Sequence, residues 1–341
     1  MTDFKKVNID KISSIKIKPE LYEADHLAHI DFSRLHSEMK PVERQFINGL
    51  LRYYKPSRIL EIGVSRGAGT VVILNAISDM PETKLVSIDR LDNFYGDGCT
   101  PVGVEAKTLF PDVADTKWKL FTGAEPSQIL PEINNTFDFL VLDSLHAHPI
   151  ETFNFLCALP YLSDGAIVIV HDISLHLFFP NSIAPRILMC SVTAEKLFIS
   201  NEYIPSNDNG DMAHNIVAFQ INADTRKYIE NIFHGLMYPW EVFYLDDAEH
   251  VRKLLVNHYP KKLIEIFDSA LKLNQTCFKY MANKTNGEAA AIRSLKELVI
   301  AFENSTSWRV TKPLRAAKRF FKKIKIAQSI FSVSQRKRHN S

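Results

Sequence analysis

Cysteine is scarce in this 341-residue chain. Its four cysteines, Cys99, Cys157, Cys190 and Cys277, are scattered and form no C-x-x-C pair. They read as reduced thiols of a cytosolic protein, which argues against a disulfide-built scaffold. Long apolar runs are missing too. None approaches the roughly 18 residues that a membrane span requires. The opening MTDFKKVNIDKISSIKIKP carries charges but no apolar core, so it does not read as a signal peptide. Acids are missing from the end of the chain. Asn304 to Ser341 holds eleven Lys/Arg and no Asp/Glu, whereas the first 303 residues hold 30 basic and 39 acidic ones, a net charge of −9. An acidic body with a basic end points to an anionic partner at that end. What is abundant is apolar surface: 46% of residues, enough for a packed core and too much for global disorder.

Strand and helix signals alternate between about residues 40 and 220. PVERQFINGLLRYY places Val42, Phe46, Leu50 and Tyr53 at helical spacing. RILEIG, KLVSID, KWKLFT, FDFLVLD and GAIVIVHD read as five strands, and EKLFI with HNIVAFQI as a closing pair. GTVVILNAIS and IETFNFLCALPYL read as intervening helices. Continuous apolar strands separated by helices predict an α/β fold with a doubly wound, mostly parallel sheet of seven strands. Ligands of such sheets sit at the carboxyl ends of the strands, where Glu61, Asp89, Asp143 and Asp172 fall. Beyond residue 222 the signals are helical only: TRKYIENIFHGL, AEHVRKLLVNHY, KKLIEIFDSALKL and AAAIRSLKELVIAF. The expected organisation is a cap segment at 1–39, a sheet domain at 40–222, a helical extension at 223–303 and a basic tail at 304–341.

RILEIGVSRGAGT carries three glycines just after the first strand. A dinucleotide loop, G-x-G-x-x-G, would need glycine where Ser65 stands, which weakens a nicotinamide oxidoreductase. The loop resembles motif I of class I S-adenosylmethionine-dependent methyltransferases, E/D-x-G-x-G/S-x-G, through Glu61, Gly63, Ser65 and Gly67. The resemblance covers about residues 40 to 220 and implies a Rossmann-like methyltransferase fold with S-adenosylmethionine as cofactor. Asp89, 26 residues after Gly63, then stands where a carboxylate accepts hydrogen bonds from ribose hydroxyls. FTGAEPSQILPEI is similar to the segment bordering adenine in catechol- and caffeoyl-type O-methyltransferases, which implies that Gly123, Ala124 and Glu125 flank the base.

LDSLHAH and IVHD resemble the D-G-D-H-x-Y and later H-D stretches of a bacterial family that includes metal-dependent sugar and small-molecule O-methyltransferases. Asp143, His146, His171 and Asp172 match. Leu145 replaces the second acid and His148 the tyrosine, and the lost oxygen ligand weakens the metal site. A hydroxyl is a poor nucleophile at neutral pH, so a base or a divalent cation must favour the alkoxide. The resemblance implies Asp143 and Asp172 as ligands for Mg2+ or Mn2+, Asp143 also as a cofactor contact, and Asp143 with His146 or His171 as catalytic groups. His148 and His176 read as packed or surface residues, and His214 is left open. No N/D-P-P-Y/F stretch follows the fourth strand, which counts against amino-group methylation of nucleic-acid bases.

STSWRVTKPLRAAKRFF resembles a tail common among enzymes of bacterial surface-polysaccharide assembly, glycosyltransferases especially. Leu314, Ala317, Phe321, Ile324 and Phe331 fall near one helical face, and Arg315, Lys318, Arg319, Lys322 and Lys325 largely elsewhere. Such a helix suits an anionic membrane surface, with a solvated basic end as the alternative. The expectation is a cytoplasmic O-methyltransferase, peripheral at the inner membrane face, acting on a sugar hydroxyl of a surface polysaccharide. The rivals are a metal-dependent enzyme for a small soluble metabolite and a non-catalytic nucleic-acid-binding protein on the same fold. The acceptor and the oligomeric state are not legible.

Overall fold

A computed structural model describes residues 15–37, 39–200, 215–242 and 244–280. The chain divides into two compact units, Met1–Thr276 and Cys277–Ser341. Of the second, only residues 277–280 are described, and they are helical. The helix expected over 289–302, the basic tail and His214 lie outside the described residues.

Seven strands form one sheet: β1 (Arg58–Ile62), β2 (Lys84–Ile88), β3 (Trp118–Phe121), β4 (Phe137–Leu142), β5 (Leu162–His171), β6 (Leu197–Phe198) and β7 (Ile216–Gln220). Their spatial order is β3-β2-β1-β4-β5-β7-β6. The four pairings among the first five strands are parallel, and β7 runs antiparallel to both β5 and β6. The expected seven-stranded, mostly parallel sheet is therefore present. Helices must cover both faces, because β1, β4 and β5 are apolar on both. On one side lie α1 (Pro41–Tyr54) and α2 (Ala68–Ala76), whose Phe46, Ile47, Leu50, Val71 and Leu74 join the core. Eight of the nine α2 residues are buried, so no amphipathic stripe marks that helix.

α1 departs from the expected face. Phe46 and Leu50 are fully buried, but Tyr53 is 43% exposed and stacks edge-on with Tyr22 at 5.4 Å. The chain's first described turn lies over the helix so closely that a Cβ on Gly49 would stand 1.8 Å from the Pro19 carbonyl oxygen. Burial there follows the contact with the N-terminal segment as well as the sheet, which shifts the buried stripe to Ile47 and Leu51.

α6 (Ile150–Ala158) is buried along its length. Phe153 of this helix meets Trp240 at 5.4 Å and Phe267 at 5.6 Å, so the late helical region packs on the same unit as the sheet. The single helix expected at 225–236 is two short ones, Ala223–Lys227 and Glu230–Gly235. α10 (Leu245–His258) and residues 261–276 are helical as expected. Among the described residues no helix is long and apolar enough to cross a membrane.

Candidate active site

Because β1, β4 and β5 run parallel, their carboxyl ends share one rim. Asp143 follows β4 directly and donates its N–H to the Ile62 carbonyl at 3.0 Å. Gly63 follows β1 with φ of +91°, and a Cβ there would lie 1.8 Å from the Asp143 carbonyl oxygen. Glycine is needed at 63 because the ends of β1 and β4 meet, a close approach of chain to chain. Gly67 likewise abuts Gly103, with a built Cβ at 3.0 Å. Ser65 adopts φ of +54°, uncommon for a residue with a side chain.

Asp89 holds that turn. Its Oδ2 accepts from the N–H groups of Val64 at 2.9 Å and Ser65 at 3.0 Å, and its Oδ1 from Leu91 at 2.8 Å. In this structure its carboxylate therefore faces the protein's own loop. Glu61 lies inside β1, 2% exposed, and accepts from the hydroxyls of Thr70 at 3.0 Å and Ser87 at 2.5 Å. Burial pushes it up to about 8, against the pull of those two hydroxyls.

An open cleft of about 770 Å³ lies over the rim. Glu61, Gly63, Ser65 and Gly69 form one wall, and Asp143, His146, His171 and Asp172 form the floor. His36, Ser37, Met39 and Tyr95 also line the cleft, residues on which the sequence was silent. Asp89 and Gly67 lie behind the wall. Gly123, Ala124 and Glu125 lie beyond this cleft. Glu125 starts α5 (Pro126–Ile133), pairs with Arg90 at 3.1 Å, and is pushed up to about 7 by burial despite that arginine. Among the described residues no lysine or arginine lines the cleft, so a pyrophosphate would find no cation from them. The ionised carboxylates of Asp143 and Asp172 are the floor groups that a positive sulfonium would face, and in that respect S-adenosylmethionine fits.

The floor is a tight group. His146 Nε2 stands 3.1 Å from Asp143 Oδ1 and 3.1 Å from Asp172 Oδ2. His171 Nδ1 stands 3.3 Å from Asp143 and 3.4 Å from Asp172, and its Nε2 is 3.3 Å from Glu43 Oε2. His146 and Asp172 both have left-handed backbones, with φ of +63° and +57°. Such conformations persist only where neighbours hold them. Glu151, in the first turn of α6, accepts from the His146 N–H and from Ser144 Oγ. Asn215, just before β7, donates to Asp172 Oδ1 at 2.6 Å and accepts from the Ser174 N–H.

Burial opposes charge at Asp143, but the His171 and His146 imidazoles outweigh it and hold its carboxyl well below the usual range. Asp172 is lowered in the same way, chiefly by His171. Burial likewise opposes the cationic imidazoles, yet Asp143 lifts His146 to about 9, and Asp143 with Asp172 lifts His171 well above its ordinary value. His148 takes no part. It is fully buried away from the rim, and desolvation lowers it to about 4. Leu145 is 43% exposed and adds no oxygen to the site. One ligand atom each from Asp143, His146 and Asp172 lies within 4.8 Å of the others, an arrangement that fits a divalent cation once the His146 imidazole has given up its proton.

Residues 60–173 match a family model described as a methyltransferase domain, a span that runs from β1 through the loop, Asp143 and Asp172. No curated protein matches the chain. Among solved structures it is similar to the O-methyltransferase TomG from Streptomyces achromogenes in complex with SAM, at 18% identity over 58% of this chain and 87% of that one, TM-score 0.40. It is similar also to an O-methyltransferase from Bacillus cereus in complex with SAH, at 17% identity over 54% and 83%, TM-score 0.39. A third is the SAH-bound methyltransferase PaMTH1 from Podospora anserina, at 16% identity over 59% and 88%, TM-score 0.41. The strand order, the glycine loop and the matched span define a Rossmann-like methyltransferase fold. Over residues 60–173 the chain is similar to a methyltransferase domain.

Proposed function

We propose that the chain methylates oxygen, with a sugar hydroxyl of a surface polysaccharide or its lipid-linked precursor as acceptor. One observation carries the choice of oxygen: two carboxylates and an imidazole converge within 4.8 Å on the cleft floor. An alcohol must lose its proton as the methyl group arrives, and an acidic cleft floor with room for a cation serves that need. The loop from Gly63 to Gly69 would hold S-adenosylmethionine, which would supply the methyl group. A divalent cation held by Asp143, His146 and Asp172 would supply Lewis acidity at the acceptor oxygen. Asn215 and Glu151 keep Asp172 and His146 in their left-handed turns.

The sugar reading rests on the likeness of residues 305–321 to the polysaccharide-enzyme tail, and the charge of the basic end suits an anionic membrane face. Exhaustive chelation followed by Mg2+ or Mn2+ tests the cation. Turnover of sugar acceptors is expected to fall and to return, and full turnover in metal-free buffer would remove the cation from the account.

A further inference from the structure

We infer that Glu43 is the positioning residue of the acid–imidazole cluster, acting through His171 to fix how Asp143 and Asp172 face the cleft. Glu43 belongs to α1, an element outside the matched span 60–173. Its side chain is 3% exposed and that of His171 is 4% exposed. Burying a carboxylate in a face made by Phe46 and Ile47 costs stability unless partners are present. Two are: the Lys40 N–H donates to Oε2 at 2.6 Å, and His171 Nε2 stands 3.3 Å from the same oxygen. The other ring nitrogen of His171 meets both floor carboxylates, at 3.3 and 3.4 Å. The imidazole is thus gripped from behind by Glu43 and presents one edge to Asp143 and Asp172. Without the grip the ring is free to turn about its Cβ–Cγ bond, and of the two imidazoles shared by the carboxylates only His146 stays in place. The same helix turn holds part of the cleft lining, since Arg44 donates to Ser37 Oγ at 3.3 Å and to the Met39 carbonyl.

The kinetic arm of the test rests on the methyl-transfer reading, and the spectroscopic arm does not. Glu43→Leu fills the space without an acceptor, and Glu43→Gln keeps one. In Glu43→Leu, kcat is expected to fall 10- to 100-fold, the range for lost support behind a site's ligands. Affinity for S-adenosylhomocysteine should stay within about threefold, because the glycine wall is untouched. Glu43→Gln should recover most of kcat. The ring-nitrogen resonances of His171 should move in the leucine variant and remain near wild type in the glutamine variant. Retained kcat in Glu43→Leu, or unmoved His171 resonances, would overturn the proposal. So would a parallel fall of kcat, cofactor affinity and melting temperature that glutamine does not relieve. A wild-type enzyme without turnover on any hydroxyl acceptor, whose His171 resonances still move in Glu43→Leu, would defeat the oxygen reading and leave the positioning role standing.

Discussion

Glu61 is the residue where burial and hydrogen bonding pull hardest against each other. Burial raises it to about 8 from an ordinary 4.5, although Ser87 and Thr70 donate to it and the Trp118 indole donates in turn to Ser87 at 2.8 Å. The folded chain therefore keeps a proton that the unfolded chain releases above about pH 4.5. Stability from this group is full below that pH and is lost as pH rises toward 8, each pH unit of the interval being worth about 1.4 kcal/mol. The melting temperature should fall between pH 5 and 8, and Glu61→Gln should flatten that fall; equal slopes in the two proteins would contradict it. Asp89 offers a second test at this scale. Three backbone N–H groups converge on its carboxylate, so Asp89→Ala frees the loop proposed to bind the cofactor. We expect S-adenosylmethionine affinity to weaken by about 1.5–3 kcal/mol in calorimetry, the order for a lost hydrogen bond to a charged group. Unchanged affinity in a folded variant would mean that the loop stands without it.

At the scale of elements, the pairing of the end of β5 with the start of β7 decides how Asp172 is held. Asn215 both donates to its carboxylate and accepts from the Ser174 N–H, so Asn215→Ala strips one partner from each. A kcat loss of at least tenfold is predicted with cofactor affinity preserved, read from initial rates and calorimetry on the same preparation. An unaffected kcat would show that the left-handed turn at Asp172 holds itself.

The strands and the rim were legible in the sequence because their signals are local: unbroken apolar runs, each followed by an acid or glycine. The supporting residues were not, because their signals are long-range. Glu43 reads as an ordinary acid in the first turn of a helix, and nothing near it in sequence announces His171, 128 positions away. Asn215 sits beside His214, which drew attention only because histidine is a chemical residue. The cap segment carries no motif, yet its His36, Ser37 and Met39 line the cleft. Tyr53 was misplaced because helical spacing shows which residues share a face and not that a second layer covers the helix from outside. Gly63 reads in the sequence as part of a cofactor loop, and its contact with the backbone of Asp143 has no local signal at all.

At the scale of the molecule, the charge asymmetry gives the clearest consequence. Eleven basic residues without an acid end a chain whose first 303 residues carry −9. Each Lys or Arg near an anionic leaflet contributes about 1 kcal/mol. Removing Pro313 to Ser341 is predicted to leave cofactor affinity intact and to abolish sedimentation with anionic vesicles. High salt should weaken sedimentation of the full chain in part, since screening acts on charge and not on apolar contact. A full-length protein that ignores such vesicles at low salt would contradict attachment. The central claim is methyl transfer to oxygen from a floor built by Asp143, His146 and Asp172. Its most direct measurement is the destination of a carbon-13 methyl group, supplied on S-adenosylmethionine to a panel of glycosides and phenols and read by NMR. The account predicts label in a methoxy group, lost in Asp143→Asn and after chelation. Label on nitrogen, or methoxy formation undiminished in Asp143→Asn, would contradict it.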